Sequence, residues 1–139
     1  KMISMCILFF YNLINNLVMS NSELLNRIDN ELTGFTNEFD KHFPDGELHD
    51  FDREKIEQNN ARIFFRMDCS DCYRFLHEIM GNKKADSNQI FNFKTRVYTL
   101  QGSLSGLSNH IEITEAVYKK LIIHLKRIFK LSDQLNANE

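Results

Sequence analysis

Between Ile90 and Ile111 the apolar residues Ile90, Phe93, Val97, Leu100, Leu104, Leu107 and Ile111 recur at strictly alternating steps of three and four. That period gathers all seven on one side of a helix, whereas a strand would send neighbours in the pattern to opposite faces. It is the seam that helices packed nearly side by side require. Asp86-x-x-Gln89 precedes it as a helix-start signature. Two features oppose it. Gly102 and Gly106 each cost about 1 kcal/mol in a helix relative to alanine, and Phe93-Lys-Thr-Arg-Val-Tyr-Thr99 is rich in strand-favouring residues. Seven consecutive seam positions outweigh local propensity, so a helix is expected. Its glycines are read as admitting a closely approaching helix or marking a bend.

The flanking segments follow the same logic. Ser20-x-x-Glu23 fits a capping box, and Leu25, Ile28, Leu32, Phe35 and Phe39 then form one stripe. A helix over 21–43 is predicted, stopped by Pro44 and Asp45-Gly46. After an acidic, turn-like stretch, a second helix starts near Asp50 or Asp52 and ends at Gly81-Asn82. Its expected buried set is Ile56, Ile63, Phe64, Met67, Phe75, Leu76, Ile79 and Met80. The pattern weakens at Asp68-Cys-Ser-Asp71, and alternation over 61–67 leaves a short strand as the alternative there.

A turn is expected at Ser108-Asn109-His110, after which Thr114 caps a last helix. Tyr118, Leu121, Ile122, Leu125, Ile128, Phe129 and Leu135 would be inside it. The three-four phase runs through this turn, so a single long helix is the alternative. The turn is preferred because so long a helix could not fold back onto a monomeric core. The expected fold is therefore all-α, an up-and-down bundle of about four helices. The alternative is α+β, with short strands near 61–67 and 91–99.

Composition agrees. One proline and five glycines in 139 residues leave few obligatory breaks, and a chain of this length suits one core, assigned to residues 19–139. Residues 1–18 read as a hydrophobic extension. It has no small-residue cleavage site before Met19, and Asn12, Asn15 and Asn16 interrupt its apolar run. Met19 leads directly into the capping box, so the extension is read as dispensable. A helix packed on the domain or on a partner, and a signal or anchor over residues 5–18, are the competing readings.

The net charge of −2 supplies no global field toward nucleic acid or an anionic membrane. Any such binding needs a local patch, and Lys119, Lys120, Lys126, Arg127 and Lys130 on the last helix form one. That stripe could track phosphates or meet an acidic partner; its plainer explanation is the wet side of an amphipathic helix. Asp45, Glu47, His49, Asp50 and Asp52, with His42 nearby, form an acidic loop that could meet a partner. Their spacing matches no calcium loop, which needs glycine at its sixth position.

Cys69-Ser-Asp-Cys72 lacks the βαβ setting of a redox pair and the second ligand pair of a zinc site, so two ordinary thiols are expected. Three cysteines are too few for a disulfide scaffold, which favours a reducing, cytoplasmic setting. No Glu-x-x-His occurs, against a carboxylate-bridged metal core. Arg74, His77, Glu78 and His124 are the remaining acid–base groups, and no spacing singles out a pair.

No catalytic residue, metal or cofactor is assigned. By elimination the chain is expected to be a non-catalytic protein-interaction module, of inhibitor, immunity-type or adaptor kind, with a protein partner or a second copy of itself. Nucleic-acid binding through the last helix is the alternative, and a small helical hydrolase or nuclease a more distant one.

Overall fold

The computed structural model describes residues 5–7, 19–43 and 53–137. Four helices carry the fold: α1 (Asn21–His42), α2 (Arg53–Met80), α3 (Ser87–Leu107) and α4 (Glu115–Ser132). No strand occurs among the described residues, so the extended alternatives at 61–67 and 91–99 are not adopted. Residues 5–7 form a helical turn with Met5 and Ile7 exposed. The rest of the N-terminal extension lies outside the described residues, as does the acidic loop of Asp45, Glu47, His49, Asp50 and Asp52.

Three helices begin where a side-chain oxygen can accept an otherwise unpaired backbone N–H. Ser20 Oγ accepts from Glu23 N at 3.2 Å, Asp86 from Asn88 N and Gln89 N at 2.7 and 3.2 Å, and Thr114 Oγ1 from Val117 N at 3.3 Å. The third and fourth helices are separate. The chain turns through Ser108–His110, and Ile111 N donates to the Leu107 carbonyl at 2.9 Å, so Ile111 stays buried although it lies beyond the helix.

Cross-helix pairs fix the topology. Thr33 and Thr36 meet Tyr73, and Asp40 meets Arg66, so α1 and α2 run antiparallel. Asp68 meets Ser103 and Asp71 meets Arg96 between α2 and α3. Lys94 meets Asp133, and Tyr98 stacks 4.6 Å from Phe129, between α3 and α4. Between α1 and α4, Glu31 meets His124, while Asn21 and Asn136 clasp through Nδ2–H to carbonyl at 2.7 Å and N–H to Oδ1 at 3.0 Å. Each helix is antiparallel to both of its neighbours, which is an up-and-down bundle.

All seven seam positions of α3 and its following turn are buried, from Ile90 to Ile111. They meet Leu24, Leu25, Ile28, Leu32, Phe35 and Phe39 of α1 and Leu121, Leu125 and Ile128 of α4 in one cluster. Phe65 of α2 stacks between Phe35 and Phe39, at centroid separations of 5.9 and 4.5 Å. A fully buried side chain of this size contributes about 1.5–3 kcal/mol, so this cluster holds the bundle together.

The second helix is continuous, but its buried face differs from the expected one. Leu76 and Ile79 are inside and Phe75 is half-buried, whereas Ile56, Ile63, Phe64, Met67 and Met80 are exposed. The true stripe is Phe65, Cys69, Cys72, Leu76 and Ile79, at steps of four, three, four and three. Excluding the cysteines from the apolar set hid this phase and shifted the N-terminal half by one position; free cysteine buries as readily as other small apolar side chains.

Helix length contributes as well. Asp40–Arg66 and Asp68–Ser103 set the ends of α1 and α3 level with about residue 64 of α2. The first ten or so residues of α2 run roughly 15 Å beyond those ends.

The glycines of α3 also depart from expectation. A Cβ at Gly102 or Gly106 would meet nothing within 4 Å among the described residues, so none of the four helices packs closely against either one. Alanine at each position should therefore raise the unfolding free energy by about 1 kcal/mol, the ordinary helix-propensity difference. Urea unfolding of Gly102→Ala and Gly106→Ala checks this. Destabilisation by either would mean that the helix is bent or crowded at that point.

Candidate functional site

Titratable side chains concentrate along the α1–α4 seam. At its centre, Gly34 lets α4 come close. A Cβ there would sit 2.8 Å from His124 Cε1, nearer than packed atoms allow. The imidazole fills that space, and its Nδ1–H donates to Glu31 Oε2 at 2.7 Å. Arg127 Nη1 lies 3.6 Å from the other oxygen of the same carboxylate. Two turns beyond Glu31 on the same side of α1, Glu38 accepts from His42 Nε2–H at 3.0 Å and lies 3.8 Å from Lys120 Nζ. The His42 hydrogen bond, aided by Lys120 and Lys41 and opposed by partial burial, holds the Glu38 carboxyl below the usual carboxylate range.

This seam divides the basic set of the last helix. Lys120 and Arg127, seven residues apart, lean onto the acids of α1. Lys119 and Lys126 follow the outward crest, where Lys119 pairs with Glu115 along its own helix at 3.0 Å, and Lys130 lies at the edge next to α1. Lys126 and Lys130 have no acidic partner within 4 Å among the described residues. Beside Arg127 and Lys130 a groove of about 480 Å³ opens between the helices, its α1 wall formed by Arg27, Asn30 and Glu31.

The remaining acid–base groups do not converge. His77 lies on the other flank of α1, 3.7 Å from Asp29. Arg74 pairs with Asp71 at 3.3 Å, and its guanidinium, like that of Arg96, sits over the Phe75 ring at about 5 Å. His77 and His124 thus face opposite sides of α1. Among the described residues no three His, Cys, Asp or Glu side chains gather in a metal-holding group, and no helix is long and apolar enough to cross a membrane.

Cys69 and Cys72 point into the core. Burial, reinforced by neighbouring acids, pushes the Cys72 thiol up to about 12 and raises Cys69 as well, where Cys72 adds to the effect of burial. A thiol so raised is a poor nucleophile, the opposite of a redox-active pair.

A second surface lies on the far side of the molecule. Ile63, Phe64 and Met67 retain 50%, 65% and 56% of their exposure on the outward side of α2, with Ile56 two turns before them. Steps of three, four and seven make them neighbours. On adjacent α3, Phe91, Thr95, Tyr98, Thr99, Gly102 and Gly106 are exposed and uncharged. Sequence patterning missed this surface because its apolar residues were counted as core. No family model, curated protein or solved structure matches this chain.

Two outcomes follow from this geometry. Gly34→Ala alone should displace His124 and forfeit the helix gain of about 1 kcal/mol, whereas in a His124→Ala background the same change should deliver it. Additive effects in that double-mutant cycle would contradict the close approach.

For the thiols, a disulfide reagent at pH 8 should label only Cys6 in the native state and all three cysteines in denaturant. Because their folded values are raised, the two buried thiols contribute stability that is complete below the ordinary thiol value of 9.0. Above it the unfolded chain ionises first, and stability should fall by about 1.4 kcal/mol per pH unit per thiol as pH rises toward 12. Cys72→Ala should make that decline shallower in equilibrium unfolding at several pH values.

Proposed function

We propose that this bundle is a non-catalytic protein-interaction module that binds a partner through the outward face of α2. The observation that carries the reading is the group Ile63, Phe64 and Met67, large apolar side chains held outward on a helix whose opposite face is packed from Phe65 onward. Single exposed apolar residues are ordinary, but a contiguous cluster on a rigid helix is the anchor type that protein interfaces use. The flanking Asn60 and Ser70 are polar and uncharged, and Asp71, one turn beyond Met67, is paired with Arg74 and with Arg96 of α3. These features suit a partner with an apolar, weakly charged surface, whether another protein or a second copy of the chain. An inhibitor, immunity-type or adaptor role accords with such binding, and a reducing, cytoplasmic setting suits three unpaired thiols.

Nucleic-acid binding along the whole basic stripe is less well supported, since Lys119, Lys120 and Arg127 already face carboxylates. An enzymatic reading would need acid–base groups in one cleft, and His77 and His124 are on opposite sides of α1.

The test is comparative affinity capture from the native host, with variants altered on the two surfaces. Phe64→Glu with Met67→Glu should abolish capture of the specific partner while leaving the helical circular dichroism unchanged. Lys119→Glu with Lys126→Glu should leave capture intact. Equal capture by the apolar-face variant would overturn the proposal.

A further inference from the structure

We propose that the groove at the α1–α4 seam binds a phosphate-bearing small molecule, held between Arg27 on α1 and Lys130 on α4. This site is independent of the apolar face of α2. It concentrates positive charge in a chain whose net charge is −2.

The antiparallel register brings the cations together. With Asn21 level with Asn136 and Glu31 level with His124, Arg27 falls level with Lys130, and both line the groove. The acid in the lining is Glu31, whose two oxygens already face His124 at 2.7 Å and Arg127 at 3.6 Å. Arg27 and Lys130 have no acidic partner among the described residues, and each is exposed. Like charges on facing walls repel unless an anion sits between them, so the groove favours a group of multiple negative charge.

The C-terminal dipole of α4 accounts in part for Lys130 and Arg127. It does not account for Arg27, which lies toward the N-terminal end of α1, where a cation gains nothing from the dipole. Asn30 and Gln134 add neutral hydrogen-bonding groups, and Leu131 gives an apolar wall. A guanidinium offers paired donors matched to phosphate oxygens, and a second cation across the groove favours a dianion over a single carboxylate. The space of about 480 Å³ takes a phosphate with an attached group and is in the range of small-ligand sites.

Calorimetric titration of the full chain with inorganic pyrophosphate at low salt tests this. Saturable one-to-one binding is expected, weakened about tenfold or more by Arg27→Glu and by Lys130→Glu, the loss of one charge-assisted contact. The crest variant Lys119→Glu with Lys126→Glu should bind as the parent does. Circular dichroism of each variant checks folding, which these exposed positions should not disturb. Absence of saturable binding at millimolar pyrophosphate overturns the site, and so does an equal loss in the crest variant. A single-stranded oligonucleotide serves as the second arm. If it binds through Lys119 and Lys126 and pyrophosphate does not compete, the anion surface is the outer stripe and not the groove.

Discussion

The seam at alternating steps of three and four is the constraint from which the rest of the structure follows. A helix that buries one stripe must present its remaining sides to neighbours or to water, and each of the four helices here has such a stripe. Their convergence removes Phe35, Phe39, Phe65, Phe93, Leu100 and Leu104 from solvent together, which no pair of the helices could do alone. Polar contacts then select one arrangement among those the apolar cluster tolerates. Ser132, buried in α4, satisfies itself by donating to the Ile128 carbonyl at 2.6 Å, so it costs the core little.

The two sides of the bundle are chemically unlike. Along α1 and α4, carboxylates of one helix meet imidazole, ammonium and guanidinium groups of the other, and Gly34 gives His124 the room to reach Glu31. Partly exposed pairs of this kind contribute at most about 1 kcal/mol each, so their value is in setting register more than in stability. On the side of α2 and α3, the outward surface is apolar near Phe64. Along the α1–α4 seam charge is placed where the helices meet, whereas the apolar patch of Ile63, Phe64 and Met67 carries none.

Most of this architecture was readable from the order of residues. The helix over 21–42, the cap at Asp86, the α3 seam and the cap at Thr114 all follow from local rules, because periodicity and capping report on one helix at a time. Relations between helices were not readable. Nothing in the run around Gly34 announces that the ring of a histidine ninety residues later occupies its missing side chain, and Gly102 carries no sign that its surroundings are open. The exposed face of α2 was misassigned for a related reason. Its Ile63, Phe64 and Met67 are apolar enough to be core, and only the packing of Phe65, Cys69 and Cys72 shows which side is inside. The groove between Arg27 and Lys130 depends on register between remote helices, so the last helix alone could indicate only a stripe.

The clasp between Asn21 and Asn136 joins residues 115 positions apart in the chain. The two ends of the bundle's backbone therefore lie side by side, while α2 and α3 are linked by only the short connection 81–86. Pairing α1 with α4 closes a long loop and bears the corresponding entropic cost, whereas pairing α2 with α3 closes a short one. A circular permutant joining residue 137 to residue 19 and opening at 82–84 would exchange those roles, giving the charged seam the short connection and the apolar face the long one.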